Sequence, residues 1–271
     1  MSKMRAFLHF EMKKIIRSRS VFIFGVLFSV LLAAITVVQL YTLPMTSGFT
    51  KYSASFLNVT LFLLPLFTLA IGALSVASDL ESRWYALLST YPLNSKVYRW
   101  GKWLSLVLSF TLLVSVGYGI VLILHAFYAN QAFDVIMMVF AFLTIVIFSA
   151  MSILIGSLAN KRIKSLTLAL GVWAFFLLIS DYLVMAIGNF VAGVVLHKLV
   201  LILTFINPVQ WIRIGYILYS GNSSVLGPAY FNFAEFMSSP LGVGTYIVCS
   251  LLWVIVPLWF SGKMLSRSGD K

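Results

Sequence analysis

Three features of the sequence predict an all-α, membrane-embedded fold. Six nearly uncharged stretches are each about twenty residues long. Hydrophobic residues make up 61% of the chain against 10% charged residues. Basic residues gather in alternate connecting segments. A mean hydropathy of +1.03 also lies far outside the range of water-soluble domains.

The stretches are Val21–Leu40, Phe56–Ala77, Trp103–Leu124, Val135–Ala159, Leu166–Ile187 and Val243–Ser261. Each is long enough to cross a hydrocarbon core of about 30 Å as a helix. Sixteen of the nineteen Lys and Arg residues precede the first stretch, join the second to the third and the fourth to the fifth, or follow the sixth. Lys51, Lys198 and Arg213 are the exceptions. Because cytoplasmic loops retain basic residues near span ends, both termini are expected in the cytoplasm of a plasma-membrane protein. The net charge of +12 then reflects topology and contact with anionic membrane lipids, and no nucleic-acid partner is expected. The chain reads as one transmembrane domain over 1–271.

Met4, Leu8, Met12 and Ile15 recur at helical spacing ahead of the first span, with Lys13, Lys14 and Arg17 on other faces. Residues 1–19 are therefore expected to form an amphipathic elbow helix at the membrane surface. No A-x-A pattern follows the first apolar run, so it reads as a retained span. The next connection, Tyr41–Ser55, carries Pro44, Thr46, Ser47 and Gly48 and reads as a simple turn. In the cytoplasmic loop 79–101, Leu80, Trp84, Leu87 and Leu88 mark one helix face, and Pro92 stops that helix after Tyr91.

Ser115/Gly119 and Ser152/Gly156 have the four-residue spacing of small residues that permits close helix contact. Residues 188–242 form the least regular segment. Phe190–Ile206 is mostly apolar but is interrupted by His197 and Lys198, and Asn207-Pro208 ends it. A seventh crossing would oppose the charge rule and would bury a lysine at a cost of about 2.5–3.5 kcal/mol. A re-entrant hairpin followed by an outer-surface helix, Pro208–Tyr219, is expected instead.

The sequence has no G-x-x-x-x-G-K-[ST], H-E-x-x-H, G-x-S-x-G or C-x-x-C, so no nucleotide site of its own and no enzymatic activity are expected. Cys249, the single cysteine, has no partner for a disulfide within the chain. Asp181 is the ionisable residue placed well inside a predicted span, where a carboxylate marks a pathway position or a local pairing. His125, Met137, Met138, Met185 and His197 fall near the outer side, and imidazole with thioether ligands suits Cu(I). Of these, His125, Met185 and His197 are the candidate metal contacts, without a ligand spacing that defines a site.

The loop between spans two and three reads Asp79-Leu80-Glu81-Ser82-Arg83, then Leu87-Leu88-Ser89-Thr90-Tyr91-Pro92-Leu93, then Gly101-Lys102. Together with the six spans, elbow helix and re-entrant segment, this resembles ABC-2 type transporter permeases, with the type V exporter-like fold, over essentially the whole chain. Arg83-Trp84 stands where the family pattern has Gly-Thr. Asn207-Pro208-Val209-Gln210-Trp211-Ile212-Arg213 and Leu226-Gly227-Pro228 are similar to the membrane subunits of Nos-type ABC transporters, which assist copper-site maturation of nitrous oxide reductase.

The resemblance implies that Asp79, Glu81, Arg83, Trp84, Leu87, Leu88 and Pro92 form a coupling segment for a separate ABC ATPase subunit. That partner would bind ATP and Mg, leaving this chain without a cofactor. A second copy of the chain is implied, as is an extracytoplasmic copper-maturation protein. Asp181, Asn207, Pro208 and Arg213 become candidates for the pathway or outer gate. The rival functions are an ABC-2 exporter of drugs, lipids or other small molecules, and a secondary transporter using Asp181; the second predicts a repeat between the halves, and none is evident.

Overall fold

The computed structural model describes residues 3–42, 51–90, 94–128, 134–227 and 230–269. Pro44, Thr46, Ser47, Gly48, Tyr91, Pro92, Leu93, Pro228 and Lys271 lie outside the described residues. The described chain is helical with no strand: α1 (Lys3–Ile16), α2 (Arg19–Thr42), α3 (Lys51–Glu81), α4 (Trp84–Thr90), α5 (Ser95–Tyr128) and α6 (Val135–Ala159) come first. They are followed by α7 (Arg162–Ala174), α8 (Ser180–Gly188), α9 (Gly193–Ile206), α10 (Pro208–Tyr219), α11 (Phe231–Ser238) and α12 (Pro240–Gly269).

Among the described residues six helices are long and apolar enough to cross a membrane: α2, α3, α5, α6, α12 and the run Arg162–Gly188. That run joins α7 to α8 through a π-helical turn, Phe175–Ile179, which sequence periodicity does not reveal.

Side-chain pairings fix the directions of the spans. Arg162 meets Glu81 and Trp173 meets Phe62, so α7 runs antiparallel to α3. The indole of Trp103 donates to the Val146 carbonyl at 3.1 Å and the Tyr118 hydroxyl to that of Met137 at 3.5 Å, so α5 opposes α6. Helix α1 and the last turns of α12 come to one end of the bundle, where Phe7 of α1 and Leu265 of α12 share a buried cluster with Tyr85 and Tyr98. We call this end the base and the opposite end the crown.

The centre of the bundle is α6. Two-thirds of its span (67%) is buried, against 6% of the Arg162–Gly188 span, which therefore stands at the rim. Asp134 caps α6 by accepting from the Ile136 amide at 2.9 Å, and Asn160 ends it in the left-handed region (φ 56°). Ser152 and Gly156 lie against α3: a Cβ on Gly72 would collide with Ser152, and one on Gly156 would sit 2.7 Å from the Ala73 carbonyl oxygen. The expected close contact is thus made at this pair. Ser115 is exposed and a Cβ on Gly119 would meet nothing within 4 Å, so that pair makes no close helix contact among the described residues.

The segment after α8 corrects one expectation. Helices α9 and α10 meet at 102°, and α10 makes its polar contacts with the crown halves of α6, α8 and α12. Yet α10 is no outer-surface helix: Trp211, Ile212 and Tyr216 are buried. Beyond Gln210 and Arg213, which lie three residues apart on one face, α10 has no strongly polar side chain to hold in water. Trp211 stacks on Tyr246 of α12 at 4.5 Å and donates to the Ser250 hydroxyl at 3.0 Å. Gly215 leaves the space that the Tyr246 hydroxyl fills.

Candidate functional site

At the base, α3 stops at Glu81 and Arg83 takes a left-handed backbone (φ 56°), so the expected continuous helix from Leu80 to Leu88 is two helices meeting at a corner. The corner divides the predicted face. Leu80 and Leu88 turn inward onto the Phe7, Tyr85, Tyr98 and Leu265 cluster, whereas Trp84 (36%) and Leu87 (49%) are exposed. Tyr85, which the spacing did not single out, is the inward anchor of α4; burial pushes its phenol pKa up. Glu81 is exposed and holds Arg162, accepting from its backbone amide at 3.0 Å and facing its Nε at 3.5 Å. Arg83 is exposed as well.

Asp79 has a different environment from the rest of the expected coupling segment. It is 2% exposed and lies within a buried ion cluster. The fully buried Lys102 ammonium reaches the Asp79 carboxylate at 2.5 Å and that of Glu11 at 2.7 Å. Lys14 approaches Asp79 at 2.9 Å from the other side, and the Tyr98 hydroxyl donates to it at 2.9 Å. Lys102, Glu11 and Asp79 sit out of water, and Lys14, 43% exposed at the edge of the cluster, brings the second positive charge that balances the two carboxylates. The cluster ties α1 to α3 and α5, and its tie is internal: the Asp79 side chain faces the fold, not a surface.

The sequence signal for the cluster was the scarcity of acids. The chain has seven Asp and Glu, and two of them, Glu11 and Asp79, lie beside apolar spans where each needs a counter-ion. Which base each would take was not legible, because Glu11, Asp79 and Lys102 belong to three helices.

At the crown, the four pathway candidates converge. Asn207 is the N-cap of α10, accepting from the amides of Val209 (2.9 Å) and Gln210 (3.4 Å), and Pro208 occupies the first helical turn, where its missing N–H costs nothing. The Asn207 amide nitrogen donates to the Phe176 carbonyl at 2.7 Å and to the Ser180 hydroxyl at 2.9 Å. In the π turn the Ser180 amide reaches back to Phe175, leaving the Phe176 carbonyl to receive Asn207. Asp181 follows on α8. It accepts from the Gln210 side-chain Nε2 at 2.6 Å and lies 3.7 Å from the Arg213 guanidinium.

These residues line a pocket of about 360 Å³ whose polar wall is Ser180, Asp181, Thr204, Asn207, Gln210 and Arg213. Asp181 is 44% and Arg213 29% exposed, so the pair faces the pocket rather than closing it, and the Arg213 Nε has no hydrogen-bond partner. The arrangement offers a polar solute both a cation and a carboxylate, beside a joint where three short helices meet.

The metal candidates are not brought together. His125 Nε2 pairs with the Tyr52 hydroxyl at 3.2 Å, the His197 ring packs edge-on against Tyr230 at 5.1 Å, and Met185 is 72% exposed. Among the described residues no group of three or more His, Cys, Asp or Glu side chains is placed to hold a metal ion.

Comparison with known proteins matches residues 5–268 to the family described as ABC-2 family transporter protein. The chain is 25% identical over 230 residues to the probable ABC transporter permease protein NosY of Stutzerimonas stutzeri, covering 80% of this chain and 79% of that protein. It is likewise 25% identical over 232 residues to the protein of the same description from Pseudomonas aeruginosa, covering 82% and 81%.

Proposed function

This chain belongs to the ABC-2 transporter family and is a permease subunit of an ABC transporter, and from that premise we propose how it couples. The corner at Glu81–Trp84 is the receiver of force from a separate cytoplasmic ATPase subunit, which binds ATP and Mg. One observation carries this reading: α4 presents Trp84 and Leu87 outward while Tyr85 and Leu88 root it in the cluster that joins α1 to α12. An exposed aromatic beside an exposed leucine is what a partner protein desolvates most profitably. Glu81 and Arg83 flank that patch as charged guides, and Asp79 supports it from within through Lys102 and Lys14.

Sixteen of the nineteen basic residues belong to segments of the base, which supports a multi-pass plasma-membrane protein with the base and both termini on the cytoplasmic side. The sparsely buried Arg162–Gly188 span is the face on which a second copy packs, placing the two Asp181–Arg213 pockets beside a shared pathway. The likeness to the NosY proteins and the Asn207–Arg213 motif favour a role in copper-site maturation of nitrous oxide reductase, with an extracytoplasmic partner at the crown.

Replacing Trp84 and Leu87 together with Ala should reduce co-purification of the ATPase subunit about thirtyfold, as expected for loss of about 2 kcal/mol at an interface hot spot. Undiminished co-purification with intact ATP-dependent function removes α4 as the contact. Deleting the gene should leave nitrous oxide reductase short of copper; normal copper content would favour export of another small molecule or lipid.

A further inference from the structure

A second pocket, of about 290 Å³, opens at the base where α1 turns into α2 and meets α3 and α7. Its polar lining is two cations, Lys14 and Arg162, and four serines, Ser18, Ser20, Ser75 and Ser78. Among the described residues the four serine hydroxyls make no hydrogen bond to protein, so all four are available to a ligand. Ile71 and Leu74 provide an apolar wall continuous with span α3.

We propose that this pocket binds the phosphate headgroup of an anionic phospholipid, with the Ile71–Leu74 wall receiving the start of its acyl chains. Two bases and several hydroxyl donors converging on one cavity are the chemistry that recognises a phosphate oxyanion. The position selects a lipid over a soluble phosphate. The pocket lies at the end of spans α2 and α3, and next to Arg162 the side chain of Ile163 is 84% exposed, as for an anchor inserted into the bilayer. Arg17, Arg19, Lys161 and Lys164 flank the pocket residues in sequence, are exposed and form no ion pair among the described residues, so the surrounding surface attracts anionic membrane.

The two cations of the pocket are shared with neighbouring acids. Lys14 also holds Asp79 at 2.9 Å, and Arg162 also faces Glu81 at 3.5 Å. Burial weakens the proton affinity of Lys14 and Arg162 repels its charge, but Asp79 and Glu11 more than compensate and set its pKa above the ordinary lysine range. Lys14 is therefore a full cation, and an anion between it and Arg162 relieves their repulsion. Because Asp79 and Glu81 both lie in the last turn of α3, a bound headgroup braces both supports of the α4 corner. This last consequence rests on the coupling role given to α4; the binding itself does not.

The test uses the purified permease alone, without its ATPase, so its outcome is independent of the transport reading. Native mass spectrometry with phosphatidylglycerol, phosphatidylcholine and inorganic phosphate should show phosphatidylglycerol retained about tenfold over phosphatidylcholine. The preference should be lost in Lys14→Gln/Arg162→Gln and reduced in Ser75→Val/Ser78→Val, which keeps every charge and lies outside the ion cluster, so it tests the site even if the charge variant misfolds. Equal retention of the two lipids by the unmodified protein overturns the proposal, as does an unchanged preference in the serine variant. Displacement of phosphatidylglycerol by millimolar inorganic phosphate would also overturn it, by showing that the pocket takes a soluble anion.

Discussion

Two groups of acids and bases sit at opposite ends of this bundle, and they differ in burial more than in chemistry. At the base, Lys102 is fully buried between Glu11 and Asp79, with contacts of 2.7 Å and 2.5 Å. At the crown, Asp181 and Arg213 are 3.7 Å apart and substantially exposed. A buried cluster holds one arrangement, because separating its members strands a charge without water. A pair that faces a pocket can exchange its partner for solvent or solute at little cost. The base therefore works as a rigid fastening for the segment proposed to meet the ATPase, and the crown as a place where contacts can be remade.

The contrast breaks most readily at Lys102. Lys102→Met leaves two carboxylates facing each other and should destabilise the protein by about 3–5 kcal/mol, read as a fall in the thermal unfolding midpoint in detergent. An unchanged midpoint would mean that water reaches the cluster. Next in size, Asn207→Ala removes both the cap of α10 and the bond to Phe176 and should cost about 1–3 kcal/mol. Limited proteolysis should then show loosening confined to α9 and α10; loosening that begins at the base would show that Asn207 does not hold this joint. Asp181→Asn should change stability by less than about 1 kcal/mol while altering transport-linked function, and unaltered function with normal expression would assign Asp181 to structure alone. The smallest effect is expected for Glu81→Gln, whose pairing with Arg162 is exposed and worth at most about 1 kcal/mol; it should shift ATPase coupling without shifting the unfolding midpoint.

Much of this architecture was legible because lipid imposes length and composition on anything that crosses it. All six spans fall on helices, and the break at Asn207-Pro208 appears as the 102° corner. Asp181 and Arg213 could be picked out individually, one as an acid inside a span and the other as a base on the unexpected side. Their meeting depends on the π turn, which has no signature in an all-apolar Phe-Phe-Leu-Leu-Ile run. Lys102 was counted only as a topological charge, and its helix extends back to Ser95, a full two turns before the predicted span. The apolar spacing of Leu80, Trp84, Leu87 and Leu88 suggested one face, but the reversal at Arg83 turned half of it outward. Such failures share a cause: periodicity reports one helix at a time, whereas ion clusters, corners and wide turns are settled between helices.

The wide turn at Phe175–Ile179 has a consequence for chain length. A π turn holds one residue more than the α turn it replaces, so deleting a single residue there would let the helix close up while Trp173 and Asp181 kept their angular phase. Elsewhere in a continuous helix the same deletion would swing everything beyond it by about 100°. Span five thus has a built-in spare residue, and losing it would cost the crown the carbonyl that receives Asn207 while leaving the attachment to α3 at Glu81 and Phe62 undisturbed.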